Sequence, residues 1–203
     1  MLPADGLTVG GVGHCAVRGR VSALDDARAL DRFLAGVERR AFRMAQLATG
    51  HDDEALDLVQ DAMLKLVERY GTRNETEWGP LFHRILQSKI RDWYRRTKVR
   101  SRWRLWLGAA DGGEDVDDPL EAIADTNTPT AEHQLQVKDA AAALDKALRA
   151  LPLRQQQVFL LRAWEELDVA QTAAAMGCSE GSVKTHYFRA VQALRKRLGT
   201  HWP

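Results

Sequence analysis

The chain has 203 residues, of which 45% are hydrophobic, and its formal net charge at pH 7 is +1. This length and apolar content allow one medium or two small hydrophobic cores and exclude fibrous and wholly disordered proteins. The two cysteines, Cys15 and Cys178, lie far apart without metal-ligand spacing, which favours a reducing compartment. No run approaches the roughly 20 apolar residues of a membrane span, and the first residues do not resemble a secretory signal. We therefore expect a cytoplasmic protein that is not inserted in a membrane.

Charges of opposite sign occupy separate segments of the chain. From Arg84 to Arg104 every charged residue except Asp92 is basic. In the next segment every charged residue is acidic, namely Asp111, Glu114, Asp115, Asp117, Asp118, Glu121 and Asp125. Such a reversal marks a domain boundary, and the acidic segment has too little apolar surface to fold alone. Four parts are predicted: a flexible Gly-rich tail (1–23), a first domain (24–104), a flexible acidic linker (105–131) and a second domain (132–203).

Apolar residues at helical spacing predict two helices at the start of the first domain. The first helix runs from Leu24 to near Gly50. The second helix is expected to begin at a cap formed by Asp52 or Asp53. Its predicted buried stripe is Leu56, Val59, Met63, Leu66, Val67 and Tyr70, and its predicted outward residues are Asp57, Gln60, Asp61 and Lys65.

A basic helix completes the first domain. After a polar loop over residues 71–79, this third helix is expected to begin near Pro80, since proline suits a first turn. Its apolar side holds Phe82, Ile85, Leu86 and Trp93, and at 100° per residue its opposite side holds Arg84, Ser88, Arg91, Arg95 and Lys98. Sustained period-two alternation occurs nowhere in the chain, so the predicted fold class is all-α, with two small helical domains.

The second domain contains a helix-turn-helix pattern, which follows two helices separated at Pro152. Asp168 and Gln171 have capping-box spacing at the start of a short helix. Gly177 then supplies a turn, where a residue without a Cβ takes a positive φ most easily. Ser179 caps the last helix. This order of signals is typical of a helix-turn-helix.

The last helix has a face that suits the major groove of DNA. Its predicted buried stripe is Val183, Tyr187, Ala190, Val191, Leu194 and Leu198, which leaves Ser182, Thr185, Phe188, Arg189, Gln192 and Lys196 outward, with Lys184 and His186 on the flanks. An arginine there can donate two hydrogen bonds to guanine, while Thr and Phe carbons can contact the methyl group of thymine. The alternative is an ordinary antiparallel helix pair with a solvated outer face. The basic third helix favours the nucleic-acid hypothesis.

In this order, the motifs resemble the bacterial sigma factors, specifically the extracytoplasmic-function (ECF) group of the sigma-70 family, which keeps only the region-two and region-four domains. The resemblance covers Leu30 to Leu198. Its most specific parts are Asp57-Leu58-Val59-Gln60-Asp61-Ala62, Leu81-Phe82-His83-Arg84-Ile85, Asp92-Trp93-Tyr94-Arg95-Arg96, Gln157-Val158-Phe159-Leu160-Leu161-Arg162 and Gly177-Cys178-Ser179-Glu180-Gly181-Ser182-Val183-Lys184.

The resemblance implies a transcription initiation factor without catalytic activity, a cofactor or a metal. It implies that Asp57, Gln60 and Asp61 dock on the clamp of the largest subunit of core RNA polymerase, and that the flap of the second-largest subunit is also contacted. A solvated acidic face is the alternative for these three residues. The resemblance further implies an anti-sigma factor that masks the polymerase-binding surfaces, and association with the nucleoid when the protein is active.

The resemblance also implies contacts with promoter DNA. The loop from Gly71 to Trp78 would receive a base flipped out of the minus-ten element, although Trp78 is equally compatible with a plain core anchor. The residues that would hold promoter phosphates are Arg84, Arg91, Arg95 and Lys98. Those that would read the minus-thirty-five element are Lys184, Thr185, Phe188 and Arg189.

Two positions depart from the family pattern. Ser88 stands where asparagine is usual, and His186 replaces a more common arginine, which weakens a phosphate contact or introduces pH dependence. The role of the linker also has two hypotheses. Its carboxylates, preceded by Trp103 and Trp106, either lie in basic channels of the polymerase or form a solvated tether.

Two other classes of function compete with this hypothesis. A one-component helix-turn-helix regulator would bind palindromic DNA without polymerase. An enzyme is suggested only by His51-Asp52, which resembles a phosphohydrolase metal dipeptide, but the remaining metal ligands are not evident around it. A helix-capping aspartate beside an exposed histidine explains this pair better.

Overall fold

The computed structural model describes residues 14–106 and 131–199, and within those ranges every regular element is an α-helix. The predicted all-α class is confirmed. Residues 107–130, which include the carboxylates of the predicted linker, lie outside the described ranges. None of the described helices combines the length and the hydropathy of a membrane span. The helices are α1 (His14–Thr49), α2 (Asp52–Tyr70), α3 (Glu75–Trp106), α4 (Ala131–Arg149), α5 (Leu153–Ala163), α6 (Val169–Met176) and α7 (Glu180–Leu198).

Helices α1, α2 and α3 pack together as the first domain. Helix α1 ends at Thr49, and the next residue, Gly50, has a φ of 76° and donates its amide hydrogen to the carbonyl of Gln46 at 2.9 Å. Glycine takes this left-handed conformation without a Cβ penalty, so α2 begins after only a two-residue connection. Burying each large apolar side chain contributes about 1.5–3 kcal/mol. The largest in this core are Met44, Val59, Leu66, Phe82, Leu86 and Ile90.

The first helix begins at His14, inside the segment predicted to be a flexible tail. The predicted flexible tail is therefore wrong for residues 14–23. The prediction assigned a helix only where apolar residues recur at helical spacing, and this pattern begins at Leu24. Once a helix is nucleated, each further residue adds one backbone hydrogen bond, so a helix extends beyond the part that packs.

Helix α3 begins at Glu75 rather than near Pro80. Glu75 and Glu77 stand in its first turn, where carboxylates interact favourably with the helix dipole. The amide of Glu77 donates to the carbonyl of Asn74 at 2.9 Å. Because the φ of proline is already helical, Pro80 is tolerated near the start. The second half of the predicted loop is thus the beginning of the helix.

Helix α2 buries only part of the predicted stripe, since Val59 and Leu66 are buried and Met63 and Tyr70 are partly buried. Leu56 and Val67 are exposed, at 42% and 45% of their surface. The prediction weighted large side chains and overlooked the alanines, whose small size lets neighbouring helices approach closely. The buried residues are Ala55, Leu58, Val59, Ala62 and Leu66.

Helices α4 to α7 form the second domain, and local signals fix the ends of its last two helices. The predicted capping box is confirmed, since Asp168 Oδ1 accepts from the amide of Gln171 at 2.7 Å and Gln171 Oε1 accepts from the amide of Asp168 at 2.9 Å. Gly177, with a φ of 62°, ends α6. Ser179 Oγ accepts from the amide of Ser182 at 3.2 Å and caps α7. Helices α6 and α7 therefore form the predicted helix-turn-helix.

The two domains pack against each other, which the sequence pattern did not predict. Helix α3 contacts α6, and α1 contacts α4 and α5. Across the interface, Arg43 Nη2 donates to Asp145 Oδ1 at 2.6 Å. A single apolar cluster joins buried residues of both domains, among them Met44, Leu86, Leu148, Leu151 and Leu160.

Candidate interfaces for nucleic acid and polymerase

Helix α7 presents the predicted DNA-reading residues on one exposed face. Phe188 is 64% exposed, although aromatic rings of this size are usually buried. The opposite side of α7 packs in the core through Val183, Ala190 and Leu194. The exposed residues of the face are Lys184, Thr185, Phe188 and Arg189.

The hydroxyl group of Thr185 is engaged within its own helix. Its Oγ1 donates to the carbonyl of Gly181 at 2.9 Å, so the hydroxyl hydrogen is used within the helix. Phe188 and Arg189 follow three and four residues later and are therefore its neighbours on the helix surface. The face combines an apolar pair with a cationic hydrogen-bond donor.

Three of the four predicted phosphate contacts lie on the exposed side of α3. These are Arg84, Arg95 and Lys98. Arg95 Nη2 lies 2.8 Å from Asp92 Oδ1, but both side chains are exposed, and such a pair contributes little to stability. All three side chains are exposed, and the Arg95 pair is too weak to withhold its cation from an anionic partner.

Arg91, the fourth predicted phosphate contact, lies half-buried at the interface with the second domain. Its Nη1 atom is buried and has no hydrogen-bond partner among the described residues. Burial lowers the pKa of Arg91, and the positive charge of Arg154 on α5 lowers that pKa further. A buried unpaired donor costs about 1–3 kcal/mol. The predicted position of Arg91 on a free basic stripe is wrong for this arrangement of the domains.

The connection between α2 and α3 forms a polar cleft of about 370 Å³. Trp78 lines this cleft, but its side chain is only 2% exposed. Its Nε1 donates to the carbonyl of Tyr70 at 3.2 Å, and its ring lies 5.8 Å from that of Phe33. Trp78 thus anchors the connection to the core and forms part of the cleft floor. The remaining lining residues are Asp26, Ala29, Gly71, Thr72, Arg73, Asn74 and Glu75.

The exposed face of α2 combines polar and apolar side chains. Asp57, Gln60 and Asp61 are exposed, as predicted. Asp61 Oδ2 accepts from Lys89 Nζ of α3 at 2.5 Å, so this carboxylate also ties α2 to α3. Leu64, one turn beyond Gln60, is 60% exposed. Leu56 and Val67 are also exposed on this helix, so the face carries apolar area among its polar side chains.

His186 lies on the flank of the α7 face. Burial lowers its pKa, and the positive charges of Arg154 and Arg189 lower that pKa further. The lowered pKa favours the neutral imidazole in the free chain. An arginine at this position would be charged at any physiological pH.

The His51-Asp52 pair belongs to the start of α2. His51 occupies the cap position and α2 begins at Asp52, so the predicted capping by Asp52 or Asp53 is wrong. The carboxylates of Asp52, Asp53 and Glu54 instead lie in the first turn, where they interact favourably with the positive end of the helix dipole. In the part of the chain that the structure describes, no cluster of three or more His, Cys, Asp or Glu side chains is placed to bind a metal ion.

Comparison with known proteins gives the same assignment for both halves of the chain. The family model for Sigma-70, region 4 matches residues 141–194. An RNA polymerase sigma-E factor from Streptomyces avermitilis is 34% identical over 146 residues, which cover 71% of this chain and 71% of that protein. An ECF RNA polymerase sigma factor, SigM, from Mycobacterium tuberculosis is 29% identical over 175 residues, covering 86% and 79% of the two chains.

The fold is also that of a solved sigma factor. The RpoE chain in a co-crystal structure from Bartonella quintana superposes with a TM-score of 0.57 at 22% identity, covering 83% of this chain and 95% of that one. The match in fold and the identity to the Streptomyces factor lead to one assignment. The chain belongs to the ECF RNA polymerase sigma factors of the sigma-70 family, which direct RNA polymerase to promoters.

Proposed function

We propose that this sigma factor holds core RNA polymerase on α2, opens the minus-ten element at the connection between α2 and α3, and reads the minus-thirty-five element with α7. One observation supports this division best. The chain has two separate exposed basic surfaces, on α3 and on α7, and a distinct α2 face that combines carboxylates with exposed leucines. It acts in the cytoplasm and joins the nucleoid when bound to polymerase.

The α2 face docks on the clamp of the largest polymerase subunit. Leu64 supplies apolar area, and Asp57 and Gln60 supply polar contacts. Within the described ranges neither of these two side chains has a bond like the one that ties Asp61 to Lys89. A second contact, with the flap of the second-largest subunit, falls to the second domain. Charged groups that face a partner of opposite sign mainly set specificity and the rate of association.

A base of the minus-ten element enters the cleft between α2 and α3. Extruding a base costs a few kcal/mol. Arg73 and Asn74 line the cleft and offer hydrogen-bond donors that offset this cost, and Trp78 closes its floor. Phosphates next to the flipped base lie along Arg84, Arg95 and Lys98. Phosphate contacts position DNA without reading its sequence.

The minus-thirty-five element is read by the exposed face of α7. Arg189 donates to a guanine and Lys184 lies nearer the backbone, while Thr185 and Phe188 contact a thymine methyl group. The capping of α7 by Ser179 holds the start of the helix, the part of a recognition helix that contacts base edges.

An anti-sigma factor is proposed as the regulatory partner. The sigma factor from Bartonella quintana was crystallised in complex with the anti-sigma factor NepR. A protein of this class would cover the α2 face here, because that face exposes Leu56, Leu64 and Val67 in the free chain.

The proposal is tested by gel shifts of promoter DNA with and without core polymerase. The wild-type chain is expected to shift the DNA only with core enzyme. Asp57→Arg replaces the carboxylate proposed to contact the clamp with a cation. We expect this change to lower the affinity for core polymerase at least tenfold, since like-charge contacts cost several kcal/mol. Asp31→Arg, the same change at an exposed site on α1, is the control and should bind normally. A shift without core enzyme would indicate a one-component regulator instead.

A further inference from the structure

We propose that three basic side chains from three helices form a binding site for a dianionic phosphate group, supplied as free phosphate or as the terminal phosphate of a nucleotide. These residues, which we call the basic cluster, are Arg91 of α3, Arg154 of α5 and His186 of α7. The inference goes beyond the proposed function, because it adds a small-molecule ligand to the polymerase, the promoter and the anti-sigma factor.

Arg154 connects the other two members of the basic cluster. It is the second residue of α5, and its Nη1 donates to the carbonyl of Met176, the last residue of α6, at 3.2 Å. From this position its positive charge acts on both Arg91 and His186. Helix α3 packs against α6, and this packing brings Arg91 to the same place.

Two members of the basic cluster have nitrogen atoms that the protein leaves unpaired. Arg91 Nη1 and His186 Nδ1 are buried and have no hydrogen-bond partner among the described residues. Buried polar groups are almost always paired, and each exception calls for an explanation, such as a bound ion. A guanidinium has only N–H donors, and a neutral imidazole keeps one. The chain therefore supplies several donors here without matching acceptors.

The charge around the basic cluster is mainly positive. Arg189 acts on His186 as a further cation. The carboxylate that acts on Arg91 is Asp92, which is also paired with an exposed arginine of α3 at 2.8 Å. Burial, followed by the charge of Arg154, lowers the pKa of Arg91 and the pKa of His186. An anion bound among these side chains would offset the repulsion between them.

The basic cluster can be reached from solvent. Arg154 is exposed, and Arg91 and His186 are partly exposed. The cluster thus lies at the edge of the contact between α3 and the second domain rather than deep within it. A small ligand can approach the guanidinium groups from this edge.

The donors of the basic cluster favour a phosphate with two charges. The planar guanidinium of arginine matches two oxygens of a phosphate at once, and such charge-assisted pairs are the strong ones. A terminal phosphate carries about −1.5 to −2 charges at pH 7, whereas a phosphodiester of DNA carries a single charge. A terminal phosphate therefore offsets more of the repulsion between Arg91 and Arg154.

The test titrates the full chain with inorganic phosphate, with adenosine 5′-monophosphate and with dimethyl phosphate, which is a phosphodiester. Isothermal titration calorimetry at constant ionic strength measures each affinity. Arg91→Gln and Arg154→Gln each remove one cation of the basic cluster. Arg96→Gln removes an exposed cation from another part of α3 and is the matched control.

We expect the wild type to bind a single phosphate per chain. Arg91→Gln and Arg154→Gln should each weaken this binding by about tenfold or more, because hydrogen bonds to a charged group are lost. Arg96→Gln should change it by less than about twofold, and dimethyl phosphate should bind about tenfold more weakly than phosphate. Equal affinities for phosphate and the nucleotide would identify the phosphate group alone as the ligand, and tighter binding of the nucleotide would identify a nucleotide.

The imidazole of His186 gives an independent readout. Bound phosphate should raise the pKa of His186 by about 1, because an opposite charge nearby favours the imidazolium. NMR titrations of pH with and without phosphate measure this change, and the spectrum of His186→Gln assigns the signal. Phosphate bound only to exposed cations elsewhere would leave the pKa of His186 unchanged.

The inference would be overturned by an absence of saturable binding, by full affinity in either cluster variant, by an equal loss in Arg96→Gln or by an unchanged pKa of His186. Circular dichroism checks the helix content of each variant. If a glutamine variant loses helix content, the matching Arg91→Lys or Arg154→Lys decides in its place. The lysine keeps the charge but loses the planar fork, so binding should weaken by about threefold or more, and unchanged affinity would count against the site.

Discussion

The two helices proposed to contact DNA differ in how completely they are available in the free chain. Helix α7 exposes all four of its proposed reading residues, with Phe188 64% exposed. Helix α3 exposes Arg84, Arg95 and Lys98, but Arg91 is held against the second domain.

This difference shows that position in the fold, not charge alone, decides when a cation is available. Arg91 and Arg95 lie one helical turn apart on α3 and have the same side chain. The neighbouring domain covers the first and leaves the second in water. A basic stripe predicted from helical periodicity therefore contains residues that differ in their exposure to solvent.

The largest effect is expected for the fully exposed helix. Arg189→Ala should lower the free-energy difference between the preferred base and the other bases in the minus-thirty-five element by about 1–3 kcal/mol, because a bidentate contact with guanine is lost. Transcription in vitro from a randomised promoter library measures this change. Binding to core polymerase should be unaffected, and its loss would contradict the assigned role. Lys196→Ala, a cation on the same helix nearer its end, is the control and should leave base choice unchanged.

A smaller pair of effects should distinguish Arg91 from Arg95. Arg91→Met removes a desolvated cation that faces Arg154, so the free energy of unfolding should rise by about 1 kcal/mol, or about 3 °C in melting temperature. Arg95→Met changes an exposed side chain and should leave stability unchanged.

Holoenzyme made with Arg95→Met should bind promoter DNA less tightly than the wild type, and the slope of log affinity against log salt should fall by about 0.9. Differential scanning fluorimetry and salt titrations measure the two properties. Equal melting temperatures for the two variants would show that Arg91 is not constrained by the second domain.

The smallest effect is expected for His186, through pH. Because its pKa is lowered in the folded chain, the unfolded chain binds the proton first as pH falls. The contribution of His186 to the free energy of unfolding should therefore be constant above about pH 6.5, the ordinary pKa of histidine. It should decline as the pH falls toward the folded pKa, because the imidazolium would then face Arg154 and Arg189. The difference between wild type and His186→Gln in chemical denaturation from pH 7.5 to 5 isolates this contribution. A difference between the two chains that does not change with pH would contradict this prediction.

The sequence predicted best those features that depend on neighbouring residues. The capping box of Asp168 and Gln171, the turn at Gly177 and the cap at Ser179 are interactions over three or four positions, and all were found. The start of α3 was misplaced because proline was taken to mark the first turn, whereas Glu75 and Glu77 already provide one.

Features that depend on distant parts of the chain were missed. The burial of Arg91 arises from packing between helices of different domains, and helical periodicity describes only the helix itself. The spacing of His83, Gln87 and Arg91 was visible in the sequence, but nothing in it indicated that a second domain would cover them. The loop from Gly71 to Trp78 was expected to receive a flipped base, but nothing in the sequence distinguished Arg73 and Asn74 within it.

The hydrogen bond from Thr185 to the carbonyl of Gly181 has a consequence for modified DNA. With its hydroxyl engaged inside the helix, Thr185 would meet the groove through carbon in the proposed complex with DNA, as its neighbour Phe188 would. The base pair opposite them is then distinguished by a pyrimidine 5-methyl group. Uracil at that position would weaken recognition, and 5-methylcytosine would recover part of the contact that thymine makes, so methylation of a promoter could alter its use by this factor without any change of sequence.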